Sequence, residues 1–363
     1  MEVIDTMELI KNLLPLESRK QKPQSADDLS FGDTFTDHMI MMDYKEGRGW
    51  HNARIVPYQD ICLNPAAMSL HYAQSIFEGL KCYRRKDGGL QLFRPRDNFK
   101  RFNVSAERMC MPQVDPEFCL DSLKELIRIE QDWVPTSHGA SLYLRPTMIA
   151  TEPHLGVRPA KEYLYFLIVG PVGAYYKEGF NPVKIYVSEE YVRAVRGGVG
   201  HIKAAGNYAA SLYGARKAAQ KGFTQILWLD AVERKYVEEV GTSNIFFLIG
   251  DELVTPPLAG SILPGITRYT VLDLVRNWGE YKVVERQISI DEVMAKAGDG
   301  QLKEVFASGT AVVISPVGEI YYRDKTVQIG DGRTGPLAQK LFDEITAIQY
   351  GEKPDSYGWI ETV

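Results

Sequence analysis

GPVGAYYKEGFNP, residues 170–182, packs three glycines and two prolines into thirteen positions, the densest turn-forming cluster in the chain. It follows YLYFLIV (163–169), an apolar run of strand length, and precedes VKIYV (183–187), which alternates as a half-buried strand does. Two structured regions meeting at a turn-rich stretch read as two domains, which 363 residues accommodate at roughly 100–200 residues each. The expected division is a smaller N-terminal domain (1–170), an interdomain loop (171–182) and a larger C-terminal domain (183–363). Upstream, strands are expected at 54–56, 80–83, 90–93, 141–148 and 163–169, with helices near 71–78, 97–109 and 116–133. Downstream, strands are expected at 183–187, 225–229, 235–240, 244–249, 304–307 and 319–322, with helices near 205–220, 267–278, 290–297 and 336–349. Strands and helices arrive in runs, so the fold class expected is α+β rather than a doubly wound sheet.

The clearest helix begins at Asp115, an N-cap followed by Pro116, and carries Leu120, Leu123 and Ile127 at helical spacing. Only Glu130 interrupts that apolar stripe. MEVIDTMELIKNLLPL, at the N-terminus, reads as a short surface helix, and the polar residues 17–30 as a tether. Hydrophobic residues are 45% of the chain and charged ones 25%, a globular balance, and no apolar run approaches the ~20 residues of a membrane helix. With 42 basic and 47 acidic side chains, a formal charge of −5 and no basic block, neither nucleic acid nor membrane is an expected partner. Four cysteines without a C-x-x-C pair fit a reduced, cytoplasmic protein. The six histidines show no metal-ligand spacing, so no metal is expected. Gly330, Gly332 and Gly335 spell G-x-G-x-x-G, but only twelve residues follow the helix after them. A dinucleotide fingerprint needs a further strand about 20 residues on, so this motif reads as a turn before a C-terminal helix.

Chemistry concentrates elsewhere. In RGGVGHIKAAGNYAASLYGARKAA, three glycines lead to Lys203, and small residues follow it. Such a setting lets another molecule approach the backbone closely, and a desolvated lysine there can form a Schiff base. A solvated lysine beside a flexible loop is the competing reading, and the segment alone leaves both open. In YVEEVGTSNIFF, Glu238 and Glu239 lie on opposite faces of a strand, so one carboxylate should face inward. It needs a cationic or hydrogen-bonding partner, either an internal cation or a protonated ring nitrogen of a cofactor. LPGITR, with Gly265 and Thr267 at a helix start, and FASGTAVV, with Ser308, Gly309 and Thr310 after a strand, are turns suited to binding an anion.

Taken together, the GGxGxxK…GNY setting of Lys203, EVGTSN, LPGITR and SGTA resemble the branched-chain aminotransferases, fold-type IV pyridoxal-phosphate enzymes. The likeness extends to FTDHM (35–39), LHYAQSIFEGLK (70–81), SLYLRPT (141–147), TEPHLGV (151–157), ILWLD (226–230) and AIQYG (347–351), nearly the whole chain. The resemblance implies two α+β domains with pyridoxal 5'-phosphate in the cleft between them, the larger one binding the cofactor. It makes Lys203 the Schiff-base lysine and proton shuttle. Tyr208 would hydrogen-bond the ring oxygen, and Glu239, rather than Glu238, would pair with the pyridine nitrogen. Arg101 would grip the phosphate together with the Ile266 and Thr267 backbone and Thr310. For substrate it implies an apolar pocket of Phe35, Phe77, Tyr143, Tyr175 and Ala311, with Leu155 and Val157 supplied by the second subunit of a homodimer. Arg145 would orient Tyr72 or meet the glutamate side chain, and Thr242 with Thr310 and Ala311 would hold the α-carboxylate. The implied reaction is transamination of leucine, isoleucine or valine with 2-oxoglutarate. D-amino-acid aminotransferases and aminodeoxychorismate lyases share the lysine and glutamate, but SLYLRPT and LHYAQSIFEGLK favour the branched-chain reading. One departure is that Val312 and Ser315 stand where some members carry a C-x-x-C redox pair.

Overall fold

The computed structural model describes residues 7–23, 29–173 and 180–363. Contacts divide the chain into a first unit, Met1–Tyr175 with Ile348–Val363, and a second, Tyr176–Ala347. Each is α+β.

In the first unit the strands are β1 (Ile10–Lys11), β2 (His38–Lys45), β3 (Gly49–Pro57), β4 (Ser75–Phe77), β5 (Leu80–Arg84), β6 (Leu90–Phe93), β7 (Ser141–Ala150) and β8 (Glu162–Val172). Its helices are α1 (Met68–Tyr72), α2 (Pro95–Arg108) and α3 (Pro116–Ile129). The second unit holds β9 (Val183–Val187), β10 (Gln225–Leu229), β11 (Val237–Val240), β12 (Asn244–Ile249), β13 (Glu252–Thr255), β14 (Lys282–Glu285), β15 (Leu302–Gly309), β16 (Val313–Tyr322) and β17 (Lys325–Gln328). Its helices are α4 (Ala205–Gln220), α5 (Ile266–Trp278), α6 (Ile290–Gly298) and α7 (Pro336–Gln349); the chain then returns to the first unit with β18 (Ile360–Thr362).

The first sheet runs β1-β3-β2-β8-β7-β5-β6-β18, with β4 also on β7. Alternation along β7 decides what each face does. Leu142, Leu144 and Met148 are fully buried in a core with Phe99, Phe102, Leu120, Leu123 and Ile127 of α2 and α3, while Tyr143, Arg145 and Thr147 on the opposite face stay half-buried. Full burial of one such leucine contributes roughly 1.5–3 kcal/mol. α3 starts where its sequence says: the Asp115 carboxylate accepts the N–H groups of Glu117 and Phe118.

Four expectations need correction. The expected N-terminal helix is absent from residues 7–15, and only a 3-10 turn forms at Leu16–Ser18: Ile10 and Lys11 pair in parallel with Arg54 and Ile55 and cover what would otherwise be an open edge of β3. Residues 1–6 lie outside the described residues. The helix near 71–78 ends after one turn, because Ala73 takes the left-handed conformation at φ 51° and Ser75–Phe77 then pairs with β7. The helix from 116 stops at Ile129, where Glu130 leaves the stripe for the partners described below. The C-terminal residues, read with the second domain, add β18 to β6 through Ile360↔Phe93, Glu361↔Leu92 and Thr362↔Gln91.

The second sheet runs β11-β10-β9-β16-β15-β12-β13-β14, with β17 on β16. The G-x-G-x-x-G stretch is the turn from β17 into α7, with Gly330 and Gly332 at positive φ. The start of α7 already holds an anion: the Glu304 carboxylate accepts the N–H groups of Leu337 and Ala338 at 2.9 Å each. A Cβ on Gly335 would stand 2.1 Å from that carboxylate carbon, so this glycine makes room for a cap rather than for a pyrophosphate.

Candidate active site

Lys203 occupies the turn immediately before α4, and its Nζ lies 2.9 Å from the hydroxyl of Tyr208, one helical turn on. The turn is braced from within, because Asn207 Nδ2 donates to the carbonyls of Val199 (2.7 Å) and Ile202 (3.0 Å). Both Lys203 and Tyr208 are half-buried. The preceding glycines serve the protein's own packing as well: a Cβ on Gly200 would meet the Ser261 carbonyl oxygen at 2.3 Å.

Glu239 sits on β11, opposite Trp228 of β10. Both glutamates of the EE pair are buried, not one as alternation suggests; Glu238 faces Ser261, whose hydroxyl donates to it at 2.5 Å. The loop that carries Ser261 covers the face that alternation assigns to solvent. Glu239 is the deeper, 2% exposed, and its pKa is raised to about 7 by burial, against the opposing pull of Arg193. Asn244 Nδ2 donates to its Oε1 at 3.3 Å. Its Oε2 lies 2.6 Å from Arg193 Nη1, yet has no hydrogen-bond partner among the described residues. The two facts agree, because the Arg193 hydrogens are aimed at the carbonyls of Gly200 (3.3 Å) and Ser261 (3.1 Å). The charge of Arg193 is felt, but the acceptor stays open. A protonated ring nitrogen would supply the missing donor, so these residues fit pyridoxal phosphate.

Neither Arg193 nor Asn244 had a role in the sequence reading. Arg193 lies in an irregular segment without periodicity, and Asn244 was visible only as part of EVGTSN. Asn244 also donates to the Leu263 carbonyl at 2.9 Å and thereby ties β12 to the start of α5. Gly265, the N-cap of α5, must be glycine for space, since a Cβ would stand 2.0 Å from Asn244 Oδ1. Among the described residues no side chain caps α5, so the N–H groups of Ile266 and Thr267 start a helix as an anion site does. Arg268 of LPGITR is fully buried and pairs with Glu285 at 2.8 Å. Thr310 and Ala311 form the tight turn between β15 and β16, and Thr242 is exposed in the turn between β11 and β12.

The remaining sequence-derived residues belong to the first unit. Arg101 is buried on α2 in a two-pronged pair with Glu78, Nε to Oε1 at 2.6 Å and Nη2 to Oε2 at 2.9 Å. Phe77, Tyr143 and Arg145 share the face of the sheet away from α2 and α3. The Arg145 guanidinium lies 4.6 Å from the Phe77 ring centroid and donates to the Tyr143 hydroxyl at 2.9 Å. The phenol that Arg145 meets is therefore that of Tyr143; Tyr72 ends α1, 39% exposed. Arg145 Nε is buried without a hydrogen-bond partner among the described residues. Phe35 stacks on Tyr58 with centroids 5.1 Å apart. Leu155 and Val157 are exposed at 66% and 88%. Tyr175 lies outside the described residues.

The family model for amino-transferase class IV matches residues 75–320. Branched-chain-amino-acid aminotransferase 2 of Bacillus subtilis (strain 168) is 53% identical over 348 residues, 96% of either chain. The crystal structure of the Escherichia coli branched-chain amino acid aminotransferase aligns with a TM-score of 0.75 at 28% identity, over 90% of this chain and 98% of that one. The T.th. branched-chain amino acid aminotransferase with pyridoxamine 5'-phosphate aligns with a TM-score of 0.72 at 27% identity, over 88% and 97%. A lysine tethered to a tyrosine, a buried glutamate with an open acceptor and this breadth of likeness have one reading: the chain belongs to the branched-chain-amino-acid aminotransferases, pyridoxal-phosphate enzymes of fold type IV.

Proposed function

We propose that this chain transfers the amino group of leucine, isoleucine or valine to 2-oxoglutarate, with the residues named here in the following roles. The observation that carries the assignment is the open Oε2 of Glu239 in the same unit as the Lys203–Tyr208 pair. When bound, pyridoxal phosphate supplies the electron sink for breaking the substrate Cα–H bond. Lys203 Nζ would hold the cofactor and, once displaced by the incoming amine, would take the proton from the substrate Cα and deliver it to the cofactor carbon rather than back to Cα. Tyr208 holds that nitrogen through its hydroxyl. Glu239 Oε2 would accept from the ring nitrogen, whose positive charge would add to that of Arg193 in opposing the pull of burial on the carboxylate.

Arg101, aimed by Glu78, grips the phosphate with the Ile266 and Thr267 N–H groups and Thr310. Thr242 and the Thr310–Ala311 turn take the substrate α-carboxylate. Phe35, Phe77, Tyr143 and Tyr175 form the apolar wall. Leu155 and Val157, too exposed to serve their own chain, complete it from a second copy in a homodimer. The unpartnered Nε of Arg145 supports its use for the side-chain carboxylate of glutamate, because an apolar pocket that also takes a dicarboxylate needs a buried donor. The four cysteines are unpaired, which suits the cytoplasm as the compartment.

Initial rates against a panel of amino acids with 2-oxoglutarate test the reading. Leucine, isoleucine and valine should exceed alanine and aspartate by at least roughly ten-fold in kcat/KM, about 1.4 kcal/mol of apolar discrimination. A preference for D-amino acids or for aminodeoxychorismate would overturn it.

A further inference from the structure

Glu130, the polar interruption in the α3 stripe, is 1% exposed and has no use in the reaction above. It closes a buried cluster. One of its oxygens meets His38 Nδ1, and the other accepts the Asp37 N–H at 3.3 Å. His38 Nε2 accepts the Leu14 N–H at 2.8 Å, which places the ring proton on Nδ1, toward Glu130. Asp37 accepts the Lys20 N–H at 2.8 Å and the Trp133 indole N–H at 3.0 Å. Thr36, Asp37 and His38 are each at most 1% exposed. The cluster therefore grips the N-terminal arm at two backbone points, Leu14 and Lys20.

What the arm delivers is the Lys20 ammonium. It donates to the carbonyls of Phe35 (3.1 Å) and Thr36 (2.9 Å) and stands 4.6 Å from the centroid of the Tyr58 ring, the same ring on which Phe35 stacks within 8° of parallel. The strip is fixed from its other side as well, since Thr36 N–H donates to Val169 at 3.0 Å and Phe31 meets Tyr143 edge-on at 4.8 Å. Two carbonyls and an aromatic face converging on one ammonium set the backbone that carries Phe35.

We propose that Lys20, delivered by the Glu130–His38–Asp37 cluster, is a positioning residue that fixes Phe35 in the wall of the substrate pocket. The proposal rests on the reading of Phe35 as a pocket residue, so the experiment carries that control. In the holoenzyme, Lys20→Met should raise the leucine KM roughly three- to ten-fold, the scale of one or two charge-assisted hydrogen bonds, with kcat within about two-fold and cofactor affinity unchanged. Lys20→Arg, which keeps a cation and donors, should restore most of the loss. Glu130→Gln should raise the leucine KM in the same way and speed hydrogen exchange at the Leu14 and Lys20 amides. An unchanged KM in Lys20→Met, or a matched loss of kcat and cofactor binding, overturns the proposal. Should Phe35→Ala leave the leucine KM unchanged, the pocket assignment itself falls; should it raise KM while Lys20→Met does not, only the role of Lys20 falls.

Discussion

Two buried arginine–glutamate pairs, one in each unit, use the same residue types in opposite ways. In the first unit Glu78 is saturated: Arg101 reaches both oxygens, and Oε2 also accepts from Asn98 Nδ2 at 2.8 Å and the Gly79 N–H at 3.1 Å. In the second, Glu239 has one long side-chain bond from Asn244, a backbone interaction with Leu263 and an arginine at ion-pair distance whose hydrogens serve other acceptors, and its Oε2 has no well-aligned donor among the described residues. A saturated pair gives rigidity, because each polar group it buries is satisfied. An open pair is costly unless something completes it. The difference separates the carboxylate that builds a scaffold from the one that waits for a ligand, a distinction residue identity alone does not make.

The largest expected effect removes the nucleophile beside the open pair. Lys203→Ala should lower turnover by roughly 10⁴-fold or more and abolish the borohydride-trappable link to the cofactor, since attachment and proton shuttle go together. Persistence of a covalent adduct would assign both roles elsewhere. Next, the two glutamates should fail differently. Glu239→Gln should keep the fold and bind cofactor while turnover falls roughly 10²–10³-fold, the scale of a lost preorganised electrostatic partner. In the cofactor-free protein Glu78→Gln should instead cost about 3–5 kcal/mol in urea unfolding, because it strands the Arg101 charge in the interior, and in the holoenzyme it should weaken cofactor binding through Arg101. If the two exchange phenotypes, the comparison between the pairs is wrong.

A smaller effect follows from burial. With its pKa raised to about 7, Glu239 binds a proton more tightly in the folded than in the unfolded chain, where the ordinary value is 4.5. Its contribution to the stability of the cofactor-free protein is therefore greatest below about pH 4.5 and is lost as pH rises towards 7, up to about 3 kcal/mol. Glu238 and Glu130 are raised in the same direction, so the informative quantity is the difference between wild type and Glu239→Gln. Urea midpoints from pH 5 to 8 should fall more steeply in the wild type, and parallel curves would remove Glu239 as the titrating group.

Legibility in the sequence followed how local each cause was. α4 and α7 have the bounds that periodicity and punctuation assign, because each is bracketed by turn-forming residues. The helix expected near 71–78 failed because apolar spacing in SLHYAQSIFEGL satisfies a helix and a strand alike. Pairing with β7, seventy residues away, decides for the strand. β2 escaped notice for a related reason: MIMM gives no alternation, since β2 is covered on both faces. At the site, Lys203 and Glu239 stood out by their neighbours. Arg193 did not, because its partner lies in β11 and the Ser261 carbonyl it also reaches is 68 residues away in the chain. Glu130 was conspicuous as a break in a stripe, but its purpose needed His38 and the N-terminal arm, which no local pattern joins to it.

The measurement that bears most directly on the open acceptor of Glu239 is the ¹⁵N chemical shift of ring-labelled pyridoxal phosphate bound to the wild type and to Glu239→Gln. The wild type should give a protonated, pyridinium-type nitrogen from pH 6 to 9, with a shift that does not titrate, and Glu239→Gln should move it to the neutral pyridine range. A neutral ring nitrogen in the wild type, or the same protonated shift in both proteins, would contradict the account.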